Sequence, residues 1–242
     1  MRVNRLFVEQ SLVPGRPLTL NPAATRYLTQ VLRLRAGDAV RVFNGDGREF
    51  HAALSQVTRS GAVLAVGELA HEEPPARLRP HLWLGISRGE RMDFALQKAV
   101  ELGVASILPL HTRRSMVKLD GERERKRLAH WRGVIVSACE QSGRCRLAEL
   151  QPPAALEERI AEPRGLALLL DPEATESLPQ LTPSTADLTL LIGPEGGLTP
   201  EERALARASG FVGVRLGPRI LRTETAPLAA LAALQVLWGD YR

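Results

Sequence analysis

Hydrophobic and polar positions along the chain change rhythm once. In the first seventy residues the pattern is β-rich, with runs that alternate with a period of two. Ala39-Val40-Arg41-Val42-Phe43 runs into Asn44-Gly45-Asp46-Gly47, a second alternating run covers 48–54, and Ser60-Gly61 precedes a third over 62–66. Asn-Gly and Asp-Gly between such runs are strong hairpin signals, because these residues tolerate the left-handed backbone of a tight turn. One helix is expected, opening at Asn21-Pro22 with Asn as cap and running to about Leu34. Short strands at this spacing predict a small β-barrel over residues 1–70.

The alternation stops at 71–80, where three prolines fall within seven residues. Neither a helix nor a central strand continues through such a stretch, which predicts a linker. Over 81–242, apolar runs alternate with helical periodicity. Strands are expected at 81–86, 104–110, 165–170, 188–192 and 212–216, and helices at 92–102, 122–140, 200–209 and 224–238. Strands apolar on both faces, interleaved with helices, imply a parallel sheet covered on both sides. The fold class is therefore α/β with a small all-β N-terminal domain.

Charge sharpens this picture. The net charge is +5, and residues 1–70 hold nine arginines against five acids. Residues 111–146 hold ten basic and four acidic side chains. Two basic zones suggest a polyanionic partner held through phosphate contacts. No run approaches the roughly 18 apolar residues of a membrane span. No secretory signal is seen, so the cytoplasm is the expected compartment. With only Cys139 and Cys145, a disulfide scaffold or four-cysteine zinc site is excluded, and the five scattered histidines suggest no metal.

Two segments carry candidate chemistry. Ile192-Gly193-Pro194-Glu195-Gly196-Gly197-Leu198-Thr199 leaves an apolar strand and leads into a helix that Thr199 would cap. Ligands of open α/β sheets bind at such carboxyl-end loops. Its glycines allow positive φ or close backbone approach to a ligand, and Gly196 is expected to do one or the other. It matches neither a Walker loop nor a dinucleotide fingerprint, which argues against an ATPase or dehydrogenase. The second segment, Leu216-Gly217-Pro218-Arg219-Ile220-Leu221-Arg222-Thr223-Glu224-Thr225-Ala226, also joins strand to helix, with Thr223 as a possible cap. Arg88-Gly89-Glu90-Arg91-Met92-Asp93, Gln97-Lys98-Ala99-Val100-Glu101 and Glu140-Gln141-Ser142-Gly143-Arg144 add charged groups at helix ends and faces.

In this order, these segments resemble the SPOUT-class 16S ribosomal RNA (uracil N3) methyltransferases, the RsmE family, along essentially the whole chain. Arg5-x-Phe7 and Val31-Leu32-Arg33 extend the likeness to the N-terminus. Two departures are Tyr27, where the family usually has His, and Arg113-Arg114, where a Glu-Arg pair is frequent. The resemblance implies a PUA-like RNA-binding barrel and a SPOUT domain whose last segment threads a trefoil knot. It also implies S-adenosyl-L-methionine as methyl donor, S-adenosyl-L-homocysteine as product, and a homodimer with composite sites. The implied substrate is 16S ribosomal RNA, within the assembled small subunit.

Uracil N3 is protonated at neutral pH, so a base or an anion-stabilising group is required. Arg222 suits the second task; Glu224, Glu140 and Glu101 are the candidate proton acceptors, with no choice among them. The candidate cofactor residues are Leu170, Gly193, Pro194, Glu195, Gly196, Gly197, Leu216, Gly217, Ile220, Leu221, Arg222 and Thr223. Arg2, Arg5, Arg26, Arg33, Arg88, Arg91, Arg114 and Arg144 are the candidate RNA contacts. The rivals are SPOUT methylation of ribose 2′-O or guanine N1, and a non-catalytic RNA-binding module.

Overall fold

A computed structural model describes residues 3–58, 61–117 and 119–241. Arg2, and Ser60 of the second expected turn, lie outside the described residues. The chain divides into two compact units: residues 1–74 with 139–147, and residues 75–138 with 148–242.

The first unit holds strands β1 (Asn4–Phe7), β2 (Pro17–Thr19), β3 (Ala39–Phe43), β4 (Arg48–Thr58) and β5 (Gly61–Glu72), with helix α1 (Pro22–Arg26) between β2 and β3. They form one sheet in the order β1-β3-β4-β5-β2. The β1–β3 pair is parallel; the hairpin pairs β3–β4 and β4–β5 are antiparallel, as the turn signals require. Alternate residues such as Val40, Val42, Leu54 and Leu64 enter a single core. Asn21 caps α1 as expected, its Oδ1 accepting the Ala24 N–H at 2.8 Å. The helix does not continue regularly to Leu34. It widens into a π-turn over Tyr27–Val31, where the Leu32 N–H reaches back to the Tyr27 carbonyl (3.0 Å). Arg33, with φ +56°, ends it in the left-handed region, and the Leu34 N–H returns to the Leu28 carbonyl. This geometry drives Leu28 into the core.

The second unit opens with β6 (Arg79–Gly85), so the irregular join spans 73–78 and not the expected 71–80. There follow α2 (Glu90–Glu101), β7 (Ser106–His111), α3 (Gly121–Ser142), β8 (Glu149–Leu150), β9 (Ala154–Ala155) and α4 (Leu156–Arg159). Then come β10 (Leu166–Leu170), β11 (Asp187–Ile192), α5 (Pro200–Ala208), β12 (Val212–Val214) and α6 (Thr225–Trp238). The last residues of α3 cluster with the first unit. The sheet is wholly parallel, in the order β12-β10-β11-β6-β7-β8, with β9 also on β7. The runs in β6, β10 and β11 are buried along most of their length, as unbroken apolarity predicts for strands of a covered sheet. Among the described residues, no helix is long and apolar enough to cross a membrane.

Candidate active site

Parallel strands deliver their following loops to one edge of the sheet. The loops after the neighbouring strands β12, β10 and β11 meet there around a cleft of about 550 Å³. Of the candidate cofactor residues, Leu170, Gly193–Gly197, Leu216 and Ile220–Thr223 line it; Gly217 does not, although its φ of +75° shapes the same loop.

The loop after β11 is pinned from several sides. Thr199 caps α5 in a reciprocal box: its Oγ1 accepts the Glu202 N–H (3.2 Å), and Glu202 Oε2 accepts the Thr199 N–H (2.7 Å). Buried Glu202 also accepts the Arg113 N–H at 2.8 Å. Of the two alternatives expected of Gly196, the positive φ falls to its neighbour. Gly197 has φ +67°, while a Cβ on Gly193 would lie 2.8 Å from the Leu198 nitrogen. A Cβ on Gly85, at the end of β6, would collide with Pro194. Gly196 has no positive φ; it lies under Arg114, whose Nη1 donates to its carbonyl at 2.9 Å. Glu195 Oε1 accepts the Arg88 N–H (3.0 Å) and faces Arg91 Nη1 (3.5 Å). Burial alone would raise the Glu195 carboxyl, but these donors outweigh it and hold it below the usual range.

The loop after β12 is fastened differently. Thr223 is not the cap of α6; Glu224 occupies that position and makes no side-chain capping bond. The Thr223 hydroxyl donates instead to the Gly193 carbonyl (3.1 Å) and lies 3.4 Å from Ser87 Oγ. That contact joins the loops after β6, β11 and β12 beneath the cleft. Beside it, Arg222 is exposed, and no hydrogen bond or ion pair involves its guanidinium among the described residues. Glu224 Oε2 is buried and lacks any hydrogen-bond partner. A buried carboxylate oxygen left without a donor costs free energy, so such an atom in a cleft marks a place for a ligand N–H.

Asp171, Arg203, Arg215 and Arg219, which sequence reasoning passed over, also line the wall. Asp171, fully buried after β10, pairs with Arg207 (2.6 Å) and Arg203 (3.4 Å), and Arg203 also pairs with Glu173 (3.0 Å). Arg203 and Arg207 stand four apart on α5, so one helix face carries both, a spacing visible in the sequence.

The other candidate proton acceptors do not line this cleft. Glu101 is held by Lys98 Nζ at 2.8 Å. Glu140 belongs to the first unit, where its Oε1 accepts the Phe7 N–H at 3.0 Å. Burial pushes its carboxyl above the usual range, against the opposing pull of the Phe7 N–H and Arg5.

Arg5 is likewise structural, which corrects its expected place on an RNA-facing surface. Its side chain is only 10% exposed. It pairs with buried Glu49, donates to the carbonyls of Cys139, Glu140 (3.3 Å) and Arg144 (3.0 Å), and stacks 4.5 Å from the Phe43 ring centre. Three carbonyls at a helix end attract one guanidinium because the helix dipole and the unpaired oxygens both favour a cation there. Arg144 is also largely covered and faces Glu73 at 3.8 Å. The remaining candidates, Arg26, Arg33, Arg88, Arg91 and Arg114, are exposed. Cys139 and Cys145 are buried beside this cluster, and burial pushes the Cys145 thiol up to about 11.

An RNA methyltransferase domain family matches residues 74–235, and an RNA methyltransferase PUA domain family matches 20–66. The ribosomal RNA small subunit methyltransferase E of Buchnera aphidicola is 31% identical over 99% of this chain and 98% of its own length. A methyltransferase from Legionella pneumophila, solved with bound S-adenosylmethionine, superposes with a TM-score of 0.95 at 38% identity, covering 99% of this chain and all of its own. The ribosomal RNA small subunit methyltransferase E of Neisseria gonorrhoeae, also solved with S-adenosyl methionine, superposes at 0.92 with 36% identity over the full length of both chains.

Proposed function

Because this chain belongs to the ribosomal RNA small subunit methyltransferase E family, we propose that it methylates N3 of a specific uridine in 16S ribosomal RNA, using S-adenosylmethionine. The observation that carries the chemistry is the pairing, at one cleft, of a guanidinium and a buried carboxylate oxygen that both lack partners: Arg222 and Glu224.

The cleft suits such a cofactor. Its volume falls within the range of small-molecule sites, ~300–1,000 Å³. The backbone of Gly193–Gly197 is bare of side chains on the pocket wall apart from Pro194 and Glu195. Leu170, Leu216 and Leu221 offer apolar surface on which a purine can rest. When bound, the cofactor supplies an electrophilic methyl group.

The chain's own residues do the rest. The loops fix the direction of approach, and orientation of that kind is worth several kcal/mol of barrier, roughly 7–11 at best. Arg222 presents planar N–H donors to the oxygen on which charge builds as N3 loses its proton. Glu224 takes the proton. The N3 edge is the pairing edge of the base, so the uridine must be unpaired or flipped out. Exposed Arg26 and Arg33 in the PUA-like unit grip phosphates without reading sequence.

On the same reading the last segment of the chain threads a trefoil knot and the enzyme is a cytoplasmic homodimer that acts on the assembled small subunit. Exposed apolar side chains support the dimer: Ile220 is 85% exposed and Val236 on α6 is 58% exposed.

The deciding experiment is transfer of tritiated methyl from labelled cofactor to small subunits that lack the modification, followed by digestion to nucleosides. Label in N3-methyluridine is expected. Label in a ribose-methylated nucleoside or in N1-methylguanosine would overturn the N3 assignment, and no label at all would overturn the enzyme.

A further inference from the structure

Among the described residues, six arginines line the cleft against three carboxylates. Two of those carboxylates are already engaged: Asp171 by Arg203 and Arg207, and Glu195 by Arg91. Arg114 rests on the Gly196 carbonyl. That leaves Arg215, Arg219 and Arg222 on one eight-residue stretch, all exposed, with no hydrogen bond or ion pair to their side chains among the described residues. Only Glu224 is left to balance them. Two of the three, Arg215 and Arg219, have no part in the chemistry assigned above.

This surplus is out of place for the cofactor alone. S-adenosylmethionine carries a sulfonium and an ammonium against one carboxylate, so it is a net cation. Free guanidiniums around a cation's cleft repel it unless an anion joins them. The substrate of the proposed reaction is a polyanion whose phosphates flank the target base on both sides.

Resting on that reading, we propose that Arg215 and Arg219 seat the phosphates next to the methylated uridine, and that until RNA fills this seat their charge biases the cleft toward the product cofactor. Methyl transfer leaves the product's sulfur neutral, so S-adenosylhomocysteine lacks the charge these arginines repel. RNA on the seat cancels the bias, so RNA and S-adenosylmethionine favour each other's binding more than RNA and the product do. The coupling is reciprocal, because linkage between two bound ligands must be.

The test uses the full-length protein with Arg215→Gln, Arg219→Gln and the double variant, all at exposed positions. Affinity for small subunits that lack the modification is measured from low to moderate salt. Each substitution should reduce the slope of log affinity against log salt by ~0.7–0.9, the share of one phosphate contact. Arg219→Lys should keep the slope. Calorimetry without RNA then compares S-adenosylmethionine with S-adenosylhomocysteine at low salt. The double variant should shift the affinity ratio toward S-adenosylmethionine by about threefold or more, and high salt should erase the shift, since screening reaches only ~3 Å at 1 M. An unchanged slope in the double variant overturns the phosphate seat, and an unchanged ratio overturns the charge bias. These binding readouts need no turnover. A wild-type protein that transfers no methyl to N3 yet shows both changes would remove the assigned reaction and leave the seat standing.

Discussion

The two units treat the same pair of residue types in opposite ways. In the first, Arg5 and Glu140 are engaged within the fold: the guanidinium serves Glu49 and three carbonyls, and the carboxylate serves the Phe7 N–H. In the second, Arg222 and Glu224 stand at a cleft without partners. Both pairs sit in segments that carry the family likeness. The difference is what the charges have been left to do. Groups whose hydrogen-bonding capacity is filled hold the fold, and groups whose capacity stays open at a cavity are available to a substrate.

Four measurements press on that contrast, beginning with the largest effect. Arg5→Ala should lower stability by about 3–5 kcal/mol in chemical denaturation, because it strips the main partner from a buried carboxylate and uncaps the end of α3. The salt slope of RNA binding by the folded variant should not change. A lost slope unit with little destabilisation would instead make Arg5 a phosphate contact.

Arg222→Ala should do the reverse. Stability and cofactor affinity should stay within a few-fold, while single-turnover methylation falls on the order of 100-fold, the effect of losing one oxyanion-type donor. Lysine should rescue little, since a point charge does not reproduce the planar fork. If Arg222→Ala transfers methyl at a near-normal rate, Arg222 is out of the mechanism.

Glu224→Gln should slow transfer by about 10²-fold near neutrality, a typical contribution of a positioned base. The deficit should shrink at higher pH as hydroxide takes over proton removal. A deficit that does not vary with pH would show that Glu224 only shapes the cleft.

The smallest effect belongs to Glu140→Gln. The folded carboxyl titrates above its unfolded value, so the protonated form is the one the fold favours. Its contribution to stability is fully present below the unfolded pKa and is lost as pH rises through the folded one. Glutamine should remove that dependence in the weakly acidic range, change stability near pH 7 by no more than about 1 kcal/mol, and leave the methylation pH profile alone. A collapse of methylation would return Glu140 to the list of proton acceptors.

Much of the fold is legible in sequence where one local rule decides. The runs in β10 and β11 are too apolar for any place but a covered sheet, and Asn44-Gly45 with Asp46-Gly47 can hardly do anything but turn. The three-residue β2 and the two-residue β8 and β9 carry too few positions to show a period. Within the site, the loops were legible as loops because Gly, Pro and a Thr cap mark strand-to-helix junctions. The fate of each charge was not. Arg5 finds its partners 44 to 140 residues away, and no local count separates an arginine bound for burial from one bound for phosphate. Thr223 looked like a cap because caps are local, but its hydroxyl goes to a carbonyl thirty residues back.

The two cysteines offer a practical lever. Both are buried, and burial raises the Cys145 thiol to about 11, so little of it is thiolate at neutral pH. Alkylating reagents act on the thiolate and need access to it, so the native protein is chemically quiet toward maleimides. A single cysteine introduced at an exposed site with no assigned role, such as Glu158, can therefore be labelled selectively, which opens fluorescence and spin-label measurements on an otherwise wild-type chain.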